Sequence, residues 1–438
     1  MQSQPETILL PEWVITIEPR GQVLHRHAIV IHGTTIGDIV PEAEIEKRYP
    51  GKAIQHLKGQ ALLPGFVNLH THAGMTLLRG FADDLPLMQW LQEKIWPTEG
   101  KWVSAAFVEA GTKLACAEFL LRGITTFNEM YFFPEASAEA ILASGLRAVL
   151  GLTVLEFPTN YASDASDYLH KGLATRDALR HEARLSFALA PHAPYTVSDD
   201  SFKKIITFAE QLDLPVHLHV HETEHEITES LKQYGARPLI RLAKLGLVGP
   251  RLIAVHSVHL DPFEIDLFAR EGVSVAHCPH SNLKLASGIA PIAELLKAGV
   301  NIGIGTDSAA SNNQLDILSE LRTAALLAKG CSGNSSLLPA AEALELATLG
   351  GAKALGLQDQ IGSIKPGKQA DLISIQLEDI STLPVFDPIA QIVYSASHSQ
   401  IQHVWVAGEL LLNQRQPVKI QLLEIQDLAQ QWGRKLKT

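Results

Sequence analysis

The chain has 438 residues, of which 46% are hydrophobic and 19% charged, with three cysteines and a formal net charge of −11. This composition excludes a disordered or low-complexity chain and is long enough for one large α/β domain with an accessory unit. With no basic cluster, nucleic-acid polymers and anionic membranes are not expected as partners.

Cys116, Cys278 and Cys331 are odd in number and widely spaced, which points to a reducing compartment and away from a disulfide framework. MQSQPETILLPEW has no basic stretch followed by an apolar one, and no run of 18 or more apolar residues follows. A cytoplasmic location is the expectation.

From Thr7 to Leu63, short alternating runs broken by Gly and Pro (WVITIEP, HAIVIHG, TTIGDIV) predict antiparallel strands. The character then changes to short apolar runs, each followed by a helical stretch or long loop: ALLPGFVNLHTH, GITTFNEM, RAVLGLTVL, RLSFALAPHAP, PVHLHVHETEHE, LIAVHSVHL, VSVAHCPHSN and NIGIGTDSAA. Eight such repeats predict a (β/α)8 barrel over 64–364. ADLISIQL, IVYSAS and IQHVWVAGELLL then read as strands again. Because the ends of a domain commonly lie close together, 1–63 and 365–438 are expected to form one composite β-sandwich.

Barrel chemistry sits at the C-terminal strand ends. Strand one ends in His70-Thr71-His72, whose period of two sends both imidazoles to one side. Strand five ends in His217, His219 and His221 before Glu222, strand six in His256, and strand eight in Asp307. Each alone is as easily a packed core histidine or a helix cap. Together, counting one histidine of strand five, they are five ligand-type residues at four strand ends, a metal-binding pattern. Parity leaves the choice among the three histidines of strand five open.

PGFVNLHTHAGMTLLRG, HVHETEHE, AVHSVHL, AHCPHSNLKLASGIAPI and GIGTDSAASNN resemble the amidohydrolase superfamily, in its 5-methylthioadenosine/S-adenosylhomocysteine deaminase branch with the related triazine hydrolases. The resemblance implies that His70, His72, His219 and Asp307 hold the metal, His219 being the histidine three residues before a catalytic Glu222. Binuclear members carry a lysine at the end of strand four. RLSFALAPHAPYT has none, so one divalent ion is implied: Zn2+ suits three imidazoles and a carboxylate, and Fe2+ or Mn2+ also fit.

In the implied mechanism Asp307 takes a proton from a metal-activated water and passes it to the leaving amine. Glu222 protonates the ring nitrogen beside the attacked carbon, and His256 orients or polarises the hydroxide. Glu99 in WPTEG matches a carboxylate that binds ribose hydroxyls, and His192 in APHAPYT matches a substrate-facing histidine. Trp90 and Trp96 are open to two roles, pocket wall or hydrophobic staple, while Ser281 and Asn282 are expected as turn formers.

The implied substrate is a small nucleoside, 5′-methylthioadenosine first, with S-adenosylhomocysteine and adenosine as further candidates; the implied assembly is a homo-oligomer. Triazine or guanine-type hydrolysis on the same scaffold is the alternative, against which Glu99 argues, since a bare heterocycle has no diol. A non-catalytic barrel would have no use for the full set. Between Gly151 and His170 there is no Lys or Arg, while Glu156, Asp164 and Asp167 are present. This predicts a preference for methylthioadenosine over S-adenosylhomocysteine, whose tail carries a carboxylate.

Overall fold

A computed structural model describes residues 6–437. They divide into two compact units: Met1–Val67, Ala117–Thr126 and Asp316–Ile420 form the first, and Asn68–Cys116, Phe127–Leu315 and Gln421–Thr438 the second. Among the described residues no helix is long and apolar enough to cross a membrane.

The first unit carries a nine-stranded mixed sheet built from both ends of the chain. Its early strands are β1 (Glu6–Ile15), β2 (Val23–His25), β3 (His27–His32), β4 (Thr35–Pro41) and β5 (Ile54–Pro64). Antiparallel pairing of Leu372 with Pro64 and of Gln376 with Gln60 brings in the C-terminal strand Leu372–Gln376. Neighbouring residues of one strand pack on opposite faces: Leu9, Ile29 and Ile31 share a core with Leu372 and Trp405, while Ile8, Leu10, Ala28 and Val30 pack with Val40 and Ile45. Both faces are buried, which is why HAIVI reads as an unbroken apolar run.

IVYSAS, expected as a strand, is instead the end of a helix, Pro388–Tyr394. Asp387 accepts hydrogen bonds from the Ile389 and Ala390 amides at 2.9 and 3.3 Å, Pro388 occupies the first turn, and Ile389, Ile392 and Val393 are buried at helical spacing. The helix-start signal lies just upstream of the run that reads as strand.

The barrel strands are β6 (Phe66–Thr71), β7 (Ile124–Tyr131), β8 (Arg147–Val154), β9 (Leu185–Pro191), β10 (Val216–Val220), β11 (Leu252–His256), β12 (Ser274–His277) and β13 (Asn301–Ile304). They lie side by side in sequence order. The ring closes beyond the last strand. The Thr306 and Asp307 amides donate to the His70 carbonyl at 3.1 and 3.0 Å, and the Asn68 side chain pairs with Thr306 through its amide (3.0 Å) and hydroxyl (2.8 Å). Helices follow these strand ends after short loops and are capped by Ser198, Thr223 and Asp261. This is the (β/α)8 barrel expected from the eight repeats.

Candidate active site

Four non-glycine residues at strand ends adopt left-handed backbone conformations: His221 (φ 53°), His256 (69°), Ser257 (50°) and Asp307 (58°). Such geometry costs about 1–3 kcal/mol per residue and persists where the surroundings enforce it. Here it turns the chain sharply at the barrel mouth, so that His219, Glu222, His256 and Asp307 meet His70 and His72.

The imidazoles are anchored through Nδ1. His72 Nδ1 meets the Met130 carbonyl, His219 Nδ1 lies 2.6 Å from the His192 carbonyl, and His70 Nδ1 lies 2.9 Å from His217 Nε2. A carbonyl partner requires Nδ1–H, which leaves Nε2 with its lone pair facing inward. His70 Nε2 is buried without a hydrogen bond, and both it and His72 Nε2 stand 3.3 Å from Asp307 Oδ1.

Burial pushes the His70 imidazole down to about 3, and burial with neighbouring histidines holds His219 well below its ordinary range, so both stay neutral. At His72 the Asp307 carboxylate outweighs burial and draws the imidazole upward. Burial opposes ionisation of Asp307, but His70 and His72 overcome it and hold that carboxyl well below the usual range. The donor atoms of His70, His72 and His219, and those of His70, His256 and Asp307, each lie within 4.8 Å of one another. Bare imidazole nitrogens around one ionised carboxylate, with an orphaned Nε2 at the centre, fit a divalent cation.

The three histidines of strand five now separate. His217 braces His70. His221 turns away: its Nε2 accepts the Leu239 amide at 3.1 Å and its Nδ1 lies 3.5 Å from the buried Glu264. Of the three, only His219 lies with His70 and His72 in the cluster.

Ser281 and Asn282 are not simple turn formers. They sit buried in the short helix Pro279–Lys284, where Ser281 Oγ donates to Asp307 Oδ2 at 2.5 Å and Asn282 Oδ1 lies 2.8 Å from His256 Nδ1. Ser311 Oγ adds a second donor to Asp307 Oδ2 at 2.8 Å, and the Ser308 amide reaches Oδ1 at 2.7 Å. Asp307 is thereby fixed on all sides. His256 presents Nε2 to the site, 3.7 Å from Glu222 Oε2. Burial raises the Glu222 carboxyl above its ordinary value, so it can both hold and release a proton more readily near neutral pH than an exposed carboxyl.

A cavity of about 350 Å³ opens over this cluster. His192 lines it beside His219, with ring centroids 4.9 Å apart. Glu99 lines it too and accepts a hydrogen bond from the Tyr131 hydroxyl at 2.7 Å; burial pushes its carboxyl up to about 7. Trp90 and Trp96 are both wall residues. None of the described lining residues is Lys or Arg.

Two residues escaped the sequence reading. The Glu129 oxygens take the Ala73 amide at 2.8 and 3.1 Å, fixing the turn after His72, and Tyr131 holds Glu99. Their signal was available in the alternation of NEMY at the end of strand two.

A profile of the amidohydrolase family matches residues 61–411. The chain is 45% identical over 424 residues, 97% of it and 96% of the relative, to a 5-methylthioadenosine/S-adenosylhomocysteine deaminase of Teredinibacter turnerae. The protein of the same name from Saccharophagus degradans is 41% identical, with 99% and 97% covered. Among solved structures, an adenosine deaminase from Xanthomonas campestris with bound zinc superposes with a TM-score of 0.96 at 46% identity, covering 99% of each chain. A zinc-complexed atrazine chlorohydrolase from Arthrobacter aurescens gives 0.91 at 25% identity, covering 97% of this chain and 99% of the other.

Proposed function

The chain belongs to the amidohydrolase family, and we propose that it is a metal-dependent deaminase that converts the 6-amino group of 5′-methylthioadenosine and water to the inosine analogue and ammonia. The observation that carries this reading is the pairing, in one cavity, of the Asp307–His256–Glu222 cluster with a carboxylate at Glu99. The names of the relatives point to the same substrate class.

His70, His72, His219 and Asp307 would hold a divalent ion, which when bound would make hydroxide available at neutral pH by lowering the pKa of a water toward ~7. Zn2+ fits three imidazoles and a carboxylate best, and Fe2+ or Mn2+ suit the same donors. Asp307 receives the proton of the attacking water on Oδ1, the oxygen that faces His70 and His72 and accepts one amide, that of Ser308, whereas Oδ2 already accepts two hydroxyls, those of Ser281 and Ser311. That proton leaves with the departing amine. Glu222 delivers its own to the ring nitrogen next to the attacked carbon, so that the ring accepts the electron pair, and it regains a proton from the hydroxyl of the adduct as the amine leaves and the carbonyl forms. His256, held by Asn282, aims Nε2 at the attacking oxygen. His192 faces the purine, and the free oxygen of Glu99 takes the ribose hydroxyls.

Triazines and guanine lack a diol and would leave the Glu99 oxygen that Tyr131 does not hold without a partner, at a cost of about 1–3 kcal/mol. We place the reaction in the cytoplasm, in keeping with three cysteines that form no disulfide, and in a homo-oligomer. Incubating the zinc-loaded protein with methylthioadenosine, adenosine, guanine and atrazine while measuring ammonia and chloride tests the assignment. Release of ammonia from the nucleosides supports it, whereas turnover of guanine or atrazine alone overturns it.

A further inference from the structure

The helix after strand five opens on Thr223-Glu224-His225-Glu226. In this pattern an N-cap hydroxyl takes the amide three residues on, and the glutamate there reaches back to the N-cap amide. The first half of the exchange is made: the Thr223 hydroxyl oxygen accepts the Glu226 amide at 3.4 Å, at the start of the helix Glu224–Tyr234. The second half is redirected. Glu226 Oε2 accepts the amide of Glu222 at 3.1 Å, and the His221 amide also donates to this carboxyl. The next capped helix, Pro262–Glu271, shows the ordinary closure: Asp261 accepts the Glu264 amide at 2.9 Å and Glu264 accepts the Asp261 amide at 3.0 Å.

The peptide gripped by Glu226 is the one from which Glu222 projects. His221 is left-handed there, with φ 53°, a conformation that a non-glycine residue keeps only where its surroundings enforce it. Its carbonyl accepts the Val258 and His259 amides, both at 3.0 Å. Its Nε2 accepts the Leu239 amide at 3.1 Å, so the ring proton sits on Nδ1 and faces Glu264 at 3.5 Å. Arg237 holds Glu264 with a fork, at 2.8 Å from Nε and 2.7 Å from Nη2. Burial opposes ionisation of Glu264, but His221 and Arg237 overcome it and bring that carboxyl down to about 2. Ring and carbonyl of His221 are thus fixed from the far side, and the amides of His221 and Glu222 fall to Glu226.

Helix capping does not account for this arrangement. Glu226 is buried, and its Oε1 has no hydrogen-bond partner among the described residues. An orphaned buried oxygen costs at least as much as an N-terminal cap contributes. Glu226 is also absent from the described lining of the cavity, so it does not meet substrate.

We propose that Glu226 is a positioning residue for Glu222: by accepting the amides of His221 and Glu222 it fixes the left-handed turn from which the general acid reaches the cavity. The inference rests on the role given to Glu222 above. Its effect passes through the Glu222 carboxyl, 3.7 Å from His256 Nε2, where a displacement of about 1 Å can cost on the order of a hundredfold in rate.

The test uses zinc-loaded protein and methylthioadenosine. Glu226→Leu keeps most of the side-chain bulk and removes the acceptor, whereas Glu226→Gln keeps an acceptor for the amides. The Leu variant should lose roughly ten- to a hundredfold in kcat with KM and metal content little changed, and the Gln variant should recover most of it. In a Glu222→Gln background the Leu change should add almost nothing, because it acts only through Glu222. Glu226→Asp, which draws the carboxyl back by one methylene, should lower kcat in the same direction and serves if the Leu variant does not fold. Wild-type kcat in the Leu and Asp variants, a loss that Gln does not relieve, or an undiminished further loss in the Glu222→Gln background overturns the proposal. Hydrogen exchange at His221 and Glu222, read by mass spectrometry, should be slow in the wild type and Gln variant and fast in the Leu variant. A wild type that releases no ammonia from any nucleoside, while this exchange still depends on Glu226, would retain the contact and sink the deaminase reading. Turnover with exchange indifferent to Glu226 would do the reverse.

Discussion

Asn282→Leu removes the partner of His256 while keeping the volume of the side chain nearly constant. In the wild type the 2.8 Å contact between Asn282 Oδ1 and His256 Nδ1 requires the proton on Nδ1 and leaves Nε2 bare, 3.7 Å from Glu222. The opposite amide orientation would aim Nδ2–H at the ring and move the imidazole proton to Nε2, where it would face the attacking oxygen as a donor. Leucine leaves a buried ring N–H without an acceptor, a penalty of about 1–3 kcal/mol, and frees the imidazole to change tautomer. Turnover should fall roughly ten- to a hundredfold with metal content unchanged. Asn282→Asp, which retains the acceptor, should recover part of the loss. Steady-state kinetics with metal analysis reads the first effect, and nitrogen NMR of labelled histidine reads the tautomer directly. Wild-type kcat in Asn282→Leu, or an Nε2–H tautomer at His256 in the wild type, would refute the reasoning.

Glu222→Gln should retain metal and substrate binding and lose about two to four orders of magnitude in kcat, because the amide cannot deliver the ring proton; loss of the metal would instead make Glu222 a ligand. Glu226 is buried, and burial pushes its carboxyl up to about 7, although His221 and two backbone amides pull the other way. A carboxyl raised in the folded state contributes stability that is fully present below its unfolded value of about 4.5 and is lost as pH climbs through about 7. Glu226→Gln should therefore remove a pH-dependent loss on the order of 3 kcal/mol. Denaturant melts from pH 4 to pH 8 check it: parallel profiles for wild type and variant would contradict the assignment.

The parts of the site readable from sequence were those carried by local periodicity. His70 and His72 stand two apart on a strand, so their common side followed from the chain alone, and the eight repeats fixed which strand ends to compare. Where parity gave three equal candidates, His219 was separated from His217 and His221 only by motif, because the contacts that distinguish them come from Leu239, Glu264 and His70. Ser281 and Asn282 looked like loop residues because hydroxyl and amide side chains favour turns; their partners, Asp307 and His256, lie 26 residues away in opposite directions. IVYSAS was misread because its helix begins at Asp387-Pro388, outside the apolar run.

The most direct test of the central claim is ammonia release from 5′-methylthioadenosine by chelated protein before and after one equivalent of Zn2+ is returned. The proposed ligand set of His70, His72, His219 and Asp307 predicts negligible release from the metal-free protein. It predicts stoichiometric ammonia and inosine analogue once a single ion is bound. Undiminished release from protein verified to be metal-free would contradict the account.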